Sequence, residues 1–392
     1  MSKSTVPKIL FVCHIASLSG APLLLLEIIK ETKKNSTIPF KILIIKDGEL
    51  TNEFKLLGKT YCWNKIKIKT SGSLPGRVTF RLKKWATQIH RKLIIFYVRD
   101  TSIVFMNTIT TGQIQKALMH LPCRYICYVH EMNAAMRYAT TKDDLAAVLN
   151  HTNRFIACSQ AVKNNLVINY GIQRDTIKVL NTALPEVHRE KKLYSEFITS
   201  FKNKYEIPAS AIVIGVAGAS EWRKGVDFFL PLIRLYFHLF TNSETYFVWK
   251  GFDFESDSSY FNLFDFKKGY QTKRTILLPH DNDAIKTIAC FDIHLLLSRE
   301  DPYPLVVLEA ASLAIPTVCF ADAGGSAEFI EDDCGYVVEY GNLMEMAIKL
   351  NSLSNCHDLR NTMGQNAQRK VKERHASETA MPSFMKLFES SI

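Results

Sequence analysis

Short runs of β-branched and aromatic residues alternate with amphipathic stretches along the whole chain. Six such runs lie in the first half and six in the second, at residues 8–13, 40–46, 102–107, 124–130, 154–159, 176–181, 211–218, 245–251, 274–279, 291–298, 316–320 and 335–338. Because strands that alternate with helices assemble into mainly parallel sheets, the pattern predicts an α/β fold.

A polar, charged segment at residues 183–210, with a proline near each end, separates the two groups of predicted strands. This composition is typical of a linker between domains. The chain has 392 residues, of which 47% are hydrophobic, and this length exceeds what a single core usually supports. We therefore predict two Rossmann-like domains, joined near residue 185, with a cleft between them.

Cysteines and apolar runs indicate the compartment. The nine cysteines are scattered and form no C-x-x-C pair, which favours the reducing cytoplasm over a disulfide framework or a zinc site. The longest candidate apolar run, residues 93–98, is far shorter than the roughly 18 residues of a membrane-spanning helix. Residues 1–16 imitate a signal peptide, but the following residues continue as strand, loop and helix, so we interpret them as a first buried strand.

Positive charge is concentrated in the first half of the chain. Residues 1–190 contain 28 Lys and Arg and 12 Asp and Glu, a net charge of +16, whereas the remaining residues have a net charge of −5. Residues 54–99 contain twelve basic side chains and no acidic one. Such a field attracts an anionic substrate or membrane, since each Lys or Arg near an anionic bilayer contributes about 1 kcal/mol. A solvated loop and helix that simply tolerate lysines is the alternative.

The stretch at residues 77–98 interleaves apolar and basic side chains and has two interpretations. It could lie in the headgroup region of a membrane, or its apolar residues could face the core. The apolar residues are Val78, Phe80, Leu82, Trp85, Ile89 and Leu93, and the basic ones are Arg81, Lys83, Lys84, Arg91 and Lys92. Because no zinc finger or RNP-type motif accompanies them, we expect no nucleic-acid partner.

Two loops that follow predicted strands carry groups suited to an anion. In residues 14–31 the chain turns through Ser19 and Gly20, and Pro22 lies where the first turn of a helix accepts proline. The open N–H groups there suit an anion or a sugar hydroxyl, although many α/β proteins share this arrangement. In residues 215–237, Arg223 and Lys224 precede a helix and could clamp a diphosphate, with two solvated cations as the alternative.

Two carboxylates lie in a third such loop and the helix after it. Asp301 follows the strand at residues 291–298, and Glu309 lies one to two turns into the next helix. Open α/β sheets bind ligands at the carboxyl ends of their strands, and an acid in so apolar a helix needs partners. Gly324 and Gly325 would present further N–H groups to the same crevice. Alternatively, Asp301 forms a turn and Glu309 is an exposed helix residue.

These segments together resemble the retaining nucleotide-sugar glycosyltransferases of family 4, within the glycosyl transferases group 1, whose GT-B fold has two Rossmann-like domains facing each other across a cleft. SREDPYPLVVLEAASLAIPTV is similar to the E-x7-E segment of that family, and WRKGVDFFL to its diphosphate-binding loop. HIASLSGAP resembles its N-terminal glycine loop, and YICYVHEM the strand that ends in its active-site histidine. FIACSQAVKNNLVINYGI and IKVLNTAL resemble the segments that close its first domain, so the resemblance covers about residues 8–350.

The resemblance implies that the two domains bind different substrates. Residues 1–190 would bind the acceptor, residues 191–370 would bind the nucleotide sugar, and residues 371–392 would form a helix that returns to the first domain. Glu309 would hydrogen-bond the ribose, and Asp301 would hold hydroxyls of the transferred sugar. The remaining implied site residues are Lys224 and Arg223 at the diphosphate, His130 near the anomeric carbon, Ser19 and Gly20 at the diphosphate or acceptor, and Leu305, Val306, Gly324 and Gly325 at the substrate.

Three residues depart from the family pattern. Ala219 stands where an arginine is common, with Arg223 as its substitute; Asp301 replaces a glutamate and shortens its reach; and Pro304 removes an N–H that could donate to the sugar. These departures keep open a catalytically inactive binding subunit of a glycan-assembly complex. A nucleotide-sugar epimerase with the same fold is another alternative.

From the resemblance we expect a retaining, metal-independent hexosyltransferase that uses a nucleotide-diphosphate sugar and no cofactor. Fixed cations and helix N-termini would stabilise the leaving diphosphate. Residues 281–283, Asp-Asn-Asp, match the composition of an acidic metal-binding motif, but their position before an amphipathic stretch is typical of a helix cap. The acceptor would be a glycan or lipid-linked molecule of surface polysaccharide biosynthesis, and the basic segment at residues 54–99 would contact the inner face of an anionic membrane.

Overall fold

The computed structural model describes residues 8–64, 76–184, 190–269, 274–281 and 283–391. The chain divides into two compact units. Unit 1 comprises Met1–Cys158, Val162–Leu180 and Met381–Ile392, and unit 2 comprises Ser159–Ala161 and Asn181–Ala380. Residues 185–189 of the predicted linker lie outside the described residues.

Unit 1 is built on a parallel sheet. Its described strands are β1 (Ile9–Ile15), β2 (Phe40–Lys46), β3 (Thr60–Cys62), β4 (Ile103–Met106), β5 (Arg124–Val129), β6 (Arg154–Ala157) and β7 (Ile177–Val179). They are arranged in the order β3-β2-β1-β4-β5-β6-β7. The central strands are apolar at nearly every position because a parallel sheet is covered on both faces. The chain order reverses between β1 and β4, and ligands bind α/β sheets at such a switch point.

Helices connect these strands. They are α1 (Gly20–Asn35), α2 (Thr51–Leu57), α3 (Gly76–Val98), α4 (Gly112–Leu118), α5 (Asn133–Tyr138), α6 (Lys142–His151) and α7 (Gln160–Tyr170). Local sequence explains several of their ends. Pro22 lies in the first turn of α1, and Lys33 and Lys34 lie in its last turn, where they stabilise the carboxyl end of the helix dipole. The Thr141 hydroxyl accepts a hydrogen bond from the Asp144 N–H and caps α6.

Unit 2 repeats the architecture with a second parallel sheet. Its described strands are β8 (Ile212–Ala217), β9 (Thr245–Lys250), β10 (Thr275–Leu278), β11 (Ile293–Leu296), β12 (Thr317–Phe320) and β13 (Gly335–Val338), in the order β10-β9-β8-β11-β12-β13. Its helices are α8 (Ser195–Lys204), α9 (Val226–Leu239), α10 (Asp257–Gly269), α11 (Ala284–Ile288), α12 (Leu305–Ser312), α13 (Ser326–Ile330), α14 (Leu343–Asn355) and α15 (His357–His375), and the last helix, α16 (Ser377–Ser390), begins in unit 2 and continues into unit 1. The switch point of this sheet lies between β8 and β11.

Aromatic rings fill one face of the unit 2 sheet. Phe229 of α9 packs edge-on against Trp249 of β9, with ring centroids 5.1 Å apart, and against Phe247 at 6.3 Å. Val248, between these two strand residues, belongs to a separate cluster with Phe291. Because successive side chains of a strand point to opposite faces, both faces of the sheet are covered.

The last helix, α16, contributes its final turns to unit 1. The Phe388 ring lies 5.7 Å from that of Phe11 in β1 and 5.3 Å from that of Phe105 in β4. One turn earlier, Phe384 packs against Tyr128 of β5 at 5.4 Å. This helix therefore covers the central strands of unit 1 with aromatic side chains.

The predicted α/β class and the predicted strands are confirmed. Each of the twelve predicted runs contains a strand, and β2 and β13 have the predicted bounds. The prediction missed β3, a half-buried three-residue strand at the end of the unit 1 sheet. In the described part of the chain, no helix combines the length and the apolar composition that a membrane span requires.

Candidate active site

The turn after β8 presents two cations at the carboxyl edge of the unit 2 sheet. The turn spans Trp222–Lys224 and precedes α9. Gly225 between them has a φ of 75°, and a Cβ at this position would lie 2.0 Å from the carbonyl oxygen of Leu297. A side chain does not fit there, so the glycine allows the turn to approach the strand end of β11.

The segment after β11 brings a carboxylate to these cations. The Lys224 Nζ donates a hydrogen bond to the Asp301 carboxylate at 2.5 Å, and the Ser298 hydroxyl donates to the same oxygen at 3.1 Å. The Arg223 guanidinium lies 3.9 Å from the other carboxylate oxygen. Only 8% of the Asp301 side chain is exposed, so two cations share one nearly buried anion. Two cations beside a single carboxylate suit an anionic ligand.

The loop after β12 holds the backbone of Asp301. The Asp301 N–H donates to the Ala323 carbonyl at 2.7 Å, and the Gly325 N–H donates to the Asp301 carbonyl at 3.1 Å. Gly324 has a φ of 126°, and a Cβ there would lie 1.8 Å from the Asp301 carbonyl oxygen. The close approach of these two loops therefore requires glycine at 324.

The helix α12 carries the second predicted acid. Pro304 immediately precedes the helix, and Leu305 and Val306 form its first turn, where both are half-buried. Glu309 lies in the second turn and is also half-buried, among neighbours that are mostly buried. The structure thus places Arg223, Lys224, Asp301, Gly324 and Gly325 together, with Leu305, Val306 and Glu309 on the helix that follows.

A buried histidine beneath this site was not predicted. His294 of β11 is fully buried, and its Nδ1 lies 3.1 Å from the Thr317 hydroxyl of β12. No described group forms a hydrogen bond with its Nε2. Burial lowers the pKa of His294 to about 3, and the charge of Lys224 adds to this effect. His294 is therefore neutral at physiological pH, and its position within an apolar strand gave no sequence signal of a site.

The carboxyl edge of the unit 1 sheet carries His130. This residue follows β5, and its ring lies 4.0 Å from the ring of Tyr128. Burial lowers the pKa of His130 to about 3, with a smaller contribution from His14, so the imidazole is neutral. Among the described residues, neither the Nε2 of His130 nor the Nδ1 of His14 has a hydrogen-bond partner.

Glu131 ties the loop after β5 to the loop after β4. Its carboxylate accepts hydrogen bonds from the N–H of His130 at 2.9 Å and of Ile109 at 3.3 Å, and also from the Thr108 side chain. Burial raises the pKa of Glu131 to about 7, against the lowering effect of these hydrogen bonds. The sequence analysis named the histidine and missed this neighbour.

Ser19 and Gly20 lie at the start of α1, also in unit 1. Ser19 occupies the N-cap position but makes no capping hydrogen bond, and its hydroxyl lies 2.9 Å from that of Ser17. The fully buried Asn107, after β4, donates from Nδ2 to the Ala21 carbonyl at 2.7 Å. In unit 1, Ser19 and Gly20 thus follow β1 at the switch point, and His130 follows β5 at the same edge of the sheet.

The Asp-Asn-Asp run behaves differently from the predicted helix cap. Asp283 occupies the N-cap position of α11 but makes no capping hydrogen bond through its side chain. Asp281 instead forms an ion pair with the buried Lys250 at the end of β9. Residue 282 lies outside the described residues.

The chain resembles characterised proteins in both sequence and fold. The sequence profile of the glycosyl transferases group 1 matches residues 197–370. The match confirms the resemblance to group 1 glycosyltransferases, whereas the assignment to family 4 stays a prediction.

Curated relatives match over short segments. The capsular polysaccharide biosynthesis glycosyltransferase CapM of Staphylococcus aureus is 24% identical over 108 residues, which are 28% of this chain and 28% of CapM. The N-acetyl-alpha-D-glucosaminyl L-malate synthase of Bacillus anthracis is 28% identical over 116 residues, which are 29% of this chain and 30% of the synthase. The chain thus spans less than a third of the length of each of these two relatives.

Solved structures match over nearly the whole chain. Anabaena HepE in complex with UDP has a TM-score of 0.77 at 18% identity, covering 98% of this chain and 100% of HepE. A variant of S. aureus TarM in complex with fondaparinux, α-GlcNAc-glycerol and UDP has a TM-score of 0.70 at 12% identity, covering 97% of this chain and 99% of TarM. These likenesses confirm the predicted fold of two Rossmann-like domains, as in GT-B glycosyltransferases.

Proposed function

We propose that this chain transfers a sugar from a nucleotide-diphosphate sugar to a glycan or lipid-linked acceptor, with retention of the anomeric configuration. The observation that carries the proposal is the cluster of Lys224 and Arg223 around Asp301 at the switch point of unit 2. Departure of a nucleoside diphosphate develops negative charge, and fixed donors aimed at that charge stabilise the transition state. Two cations that share one carboxylate meet this demand.

The comparisons support the same ligand class. HepE has been crystallised with UDP and with UDP-glucose, and CapM is named for capsular polysaccharide biosynthesis. By extension, we propose a nucleotide-sugar donor for this chain and a role in surface polysaccharide biosynthesis. In this proposal Glu309 binds the ribose, and Asp301, Leu305, Val306, Gly324 and Gly325 line the place of the sugar and phosphates. Arg223 and Lys224 take the charge-neutralising role that a metal ion has in other sugar transferases, so the proposed reaction needs no metal or other cofactor.

Unit 1 would supply neutral polar groups. His130, Ser19 and Gly20 lie at the carboxyl edge of its sheet, and His130 has an unpartnered, buried ring nitrogen. A neutral imidazole offers one donor and one acceptor, which matches a sugar hydroxyl. We propose that these residues contact the transferred sugar or the acceptor.

Turnover of the unmodified chain and of two variants tests this function. Incubation with a panel of labelled nucleotide sugars and a glycan acceptor identifies the donor, and NMR of the product reports its anomeric configuration. Lys224→Ala should lower kcat roughly a hundred- to a thousandfold, because it removes one preorganised charge. Glu309→Ala should raise KM for the donor.

Matched controls are Lys267→Ala and Glu373→Ala, which change exposed residues of unit 2 and should leave the rate unchanged. Wild-type rates in both Lys224→Ala and Glu309→Ala would contradict the site. Conversion of the donor without an acceptor would instead indicate an epimerase, and failure to bind any nucleoside diphosphate would indicate an inactive binding subunit.

A membrane contact is a second part of the proposal, and α3 supports it. Trp85, Ile89, Leu93 and Phe96 recur at helical spacing and are 64%, 38%, 50% and 52% exposed. Their exposure supports contact with a membrane rather than packing in the core for these four residues. The side chains of Val78, Phe80, Leu82, Arg81 and Lys83 lie outside the described residues. An exposed apolar row at one turn spacing can enter the headgroup region of a bilayer.

Basic side chains flank this row. Lys84 and Lys92 are exposed on the same helix, whereas the Arg91 guanidinium stacks on Trp63 and donates to Asn64. We therefore propose peripheral contact with an anionic membrane surface through Lys84 and Lys92.

Vesicle flotation tests the membrane contact. Lys84→Gln with Lys92→Gln should weaken binding to vesicles that contain phosphatidylglycerol, and salt should weaken binding of the unmodified chain. Lys33→Gln with Lys34→Gln, two exposed lysines at the end of α1, is the matched control. Equal binding of both double variants, or no binding by the unmodified chain, would contradict the contact.

A further inference from the structure

Arg299 is bound on several sides at the unit 2 switch point. Its guanidinium donates to both carboxylate oxygens of Asp227, each at 2.7 Å, in a bidentate pair. The same guanidinium lies 4.6 Å from the ring centroid of Trp222 and 4.1 Å from that of Phe228. Only 11% of the Arg299 side chain is exposed. The ion pair and the two ring contacts thus hold the planar guanidinium group of Arg299 in one orientation.

The same residue joins the two segments that carry the cations and Asp301. The Arg299 Nη1 donates to the Trp222 carbonyl at 2.6 Å, and its backbone N–H donates to the Arg223 carbonyl at 2.8 Å. In return, the Arg223 Nη1 donates to the Glu300 carbonyl at 2.9 Å. Together with the bond from Lys224 to Asp301, four described hydrogen bonds join the turn at Trp222–Lys224 to the segment after β11, and Arg299 donates two of them.

The charge of Arg299 is already matched. Asp227 occupies the end of the guanidinium with both carboxylate oxygens, so Arg299 and Asp227 form a neutral pair. Lys224 and Arg223, by contrast, share a single carboxylate. Arg299 would therefore act on an anionic ligand through the position of the turn, whereas the two cations of the turn would contact the ligand.

We propose that Arg299 is a positioning residue that sets the Trp222–Lys224 turn for the diphosphate of the donor. This inference rests on the proposed function, since it concerns the same ligand. Lysine at 299 would keep the positive charge but lose the bidentate pair with Asp227, the planar stacking on the two rings and the hydrogen bond to the Trp222 carbonyl. The turn would then hold Arg223 and Lys224 less rigidly, and displacement of a positioned group by about 1 Å can cost as much as a hundredfold in rate.

Calorimetry with paired ligands separates positioning from general destabilisation. The unmodified chain is titrated with UDP and GDP, and the diphosphate that binds is compared with its own nucleoside. In Arg299→Lys, affinity for the nucleoside diphosphate should fall about tenfold or more, while affinity for the nucleoside stays unchanged. Asp227→Asn should give a smaller loss of the same kind. Arg369→Lys, the same change at an exposed position of α15, is the control and should leave both affinities unchanged.

Each other outcome contradicts a different statement. Equal losses for the nucleoside and its diphosphate in Arg299→Lys would mean that Arg299 only supports the fold, and no loss for either would mean that the turn does not depend on it. Both results overturn the inference and leave the proposed function standing. If the unmodified chain binds neither diphosphate, the proposed function fails and the inference fails with it.

Discussion

The carboxyl edges of the two sheets have the same topology and opposite electrostatics. In unit 2, the buried Asp301 is met by Lys224 and Arg223. In unit 1, the half-buried Glu131 accepts hydrogen bonds from two backbone N–H groups and a threonine side chain. One edge therefore pairs a nearly buried carboxylate with two cations, whereas the other holds a carboxyl whose pKa is raised to about 7. We infer that the first edge is suited to phosphate and the second to uncharged hydroxyl groups.

Of the substitutions considered, Gly324→Ala should have the largest effect on the edge of unit 2. Gly324→Ala would place a Cβ 1.8 Å from the Asp301 carbonyl oxygen at a φ of 126°. Steric overlap and backbone strain should lower the free energy of unfolding of unit 2 by about 4 kcal/mol and disrupt the cluster around Asp301. Urea unfolding measures the first effect, and binding of UDP measures the second.

Gly341→Ala is the matched control for that change. Gly341 also has a positive φ, 77°, but a Cβ there meets nothing within 4 Å. It should cost about 1 kcal/mol, because only the backbone conformation is penalised. Equal stability losses in the two variants would show that steric overlap with Asp301 does not contribute to the loss in Gly324→Ala.

The two edges should also differ in how their buried or half-buried titratable residues, His294 in unit 2 and Glu131 in unit 1, make stability depend on pH. Unfolding raises the pKa of His294 from about 3 to the ordinary histidine value of 6.5, so between pH 4 and 6 the unfolded chain binds one more proton. Stability should therefore fall as the pH falls, by about 1.4 kcal/mol per pH unit from this residue. His294→Leu removes that contribution, and urea unfolding at several pH values measures the reduced slope.

Glu131 should act in the opposite direction. The pKa of Glu131 falls from about 7 to the ordinary glutamate value of 4.5 on unfolding, so between these two pH values the folded chain binds the extra proton. Stability from this residue is present at low pH and lost as the pH rises towards 7. Glu131→Gln should therefore steepen the loss of stability in acid by about 1.4 kcal/mol per pH unit near pH 5 to 6. Parallel slopes for Glu131→Gln, His294→Leu and the unmodified chain would contradict the assigned environments.

Removal of one hydroxyl group that donates a hydrogen bond to each carboxyl should have the smallest effect on stability. Ser298→Ala leaves Asp301 paired with Lys224, and the expected cost is about 1 kcal/mol, the net value of a typical hydrogen bond. Thr108→Ala removes one of the three neutral donors to Glu131, and we expect about 2 kcal/mol and a further rise in the pKa of Glu131. Thermal unfolding of both variants measures the difference, and a larger loss in Ser298→Ala would reverse the comparison.

Most of the fold could be predicted from hydrophobic patterning. The buried strands of a parallel sheet read as continuous apolar runs, and all twelve predicted runs contain strands. The edge strand β3 was missed because Thr60–Cys62 is short and half-buried, so its sequence contains no long apolar run. Its pairing with β2 supplies the backbone hydrogen bonds that the local sequence does not indicate.

The candidate site was predicted only in part. Arg223, Lys224 and Asp301 were named because they follow strands, and the structure brings them into one cluster. Arg299 lies two residues before Asp301, yet its contacts with Asp227 and Trp222 span more than 70 positions of sequence and had no local signal. Asn107 and His294 were missed for the same reason, since their role depends on which strands are neighbours in the sheet.

Binding of a nucleoside diphosphate to two variants tests the central claim most directly. UDP, or GDP if the unmodified chain prefers it, is titrated into Lys224→Ala and His130→Ala. The account predicts at least about tenfold weaker binding for Lys224→Ala, through loss of a charge-assisted hydrogen bond, and unchanged binding for His130→Ala. Unchanged binding for Lys224→Ala together with weakened binding for His130→Ala would contradict it.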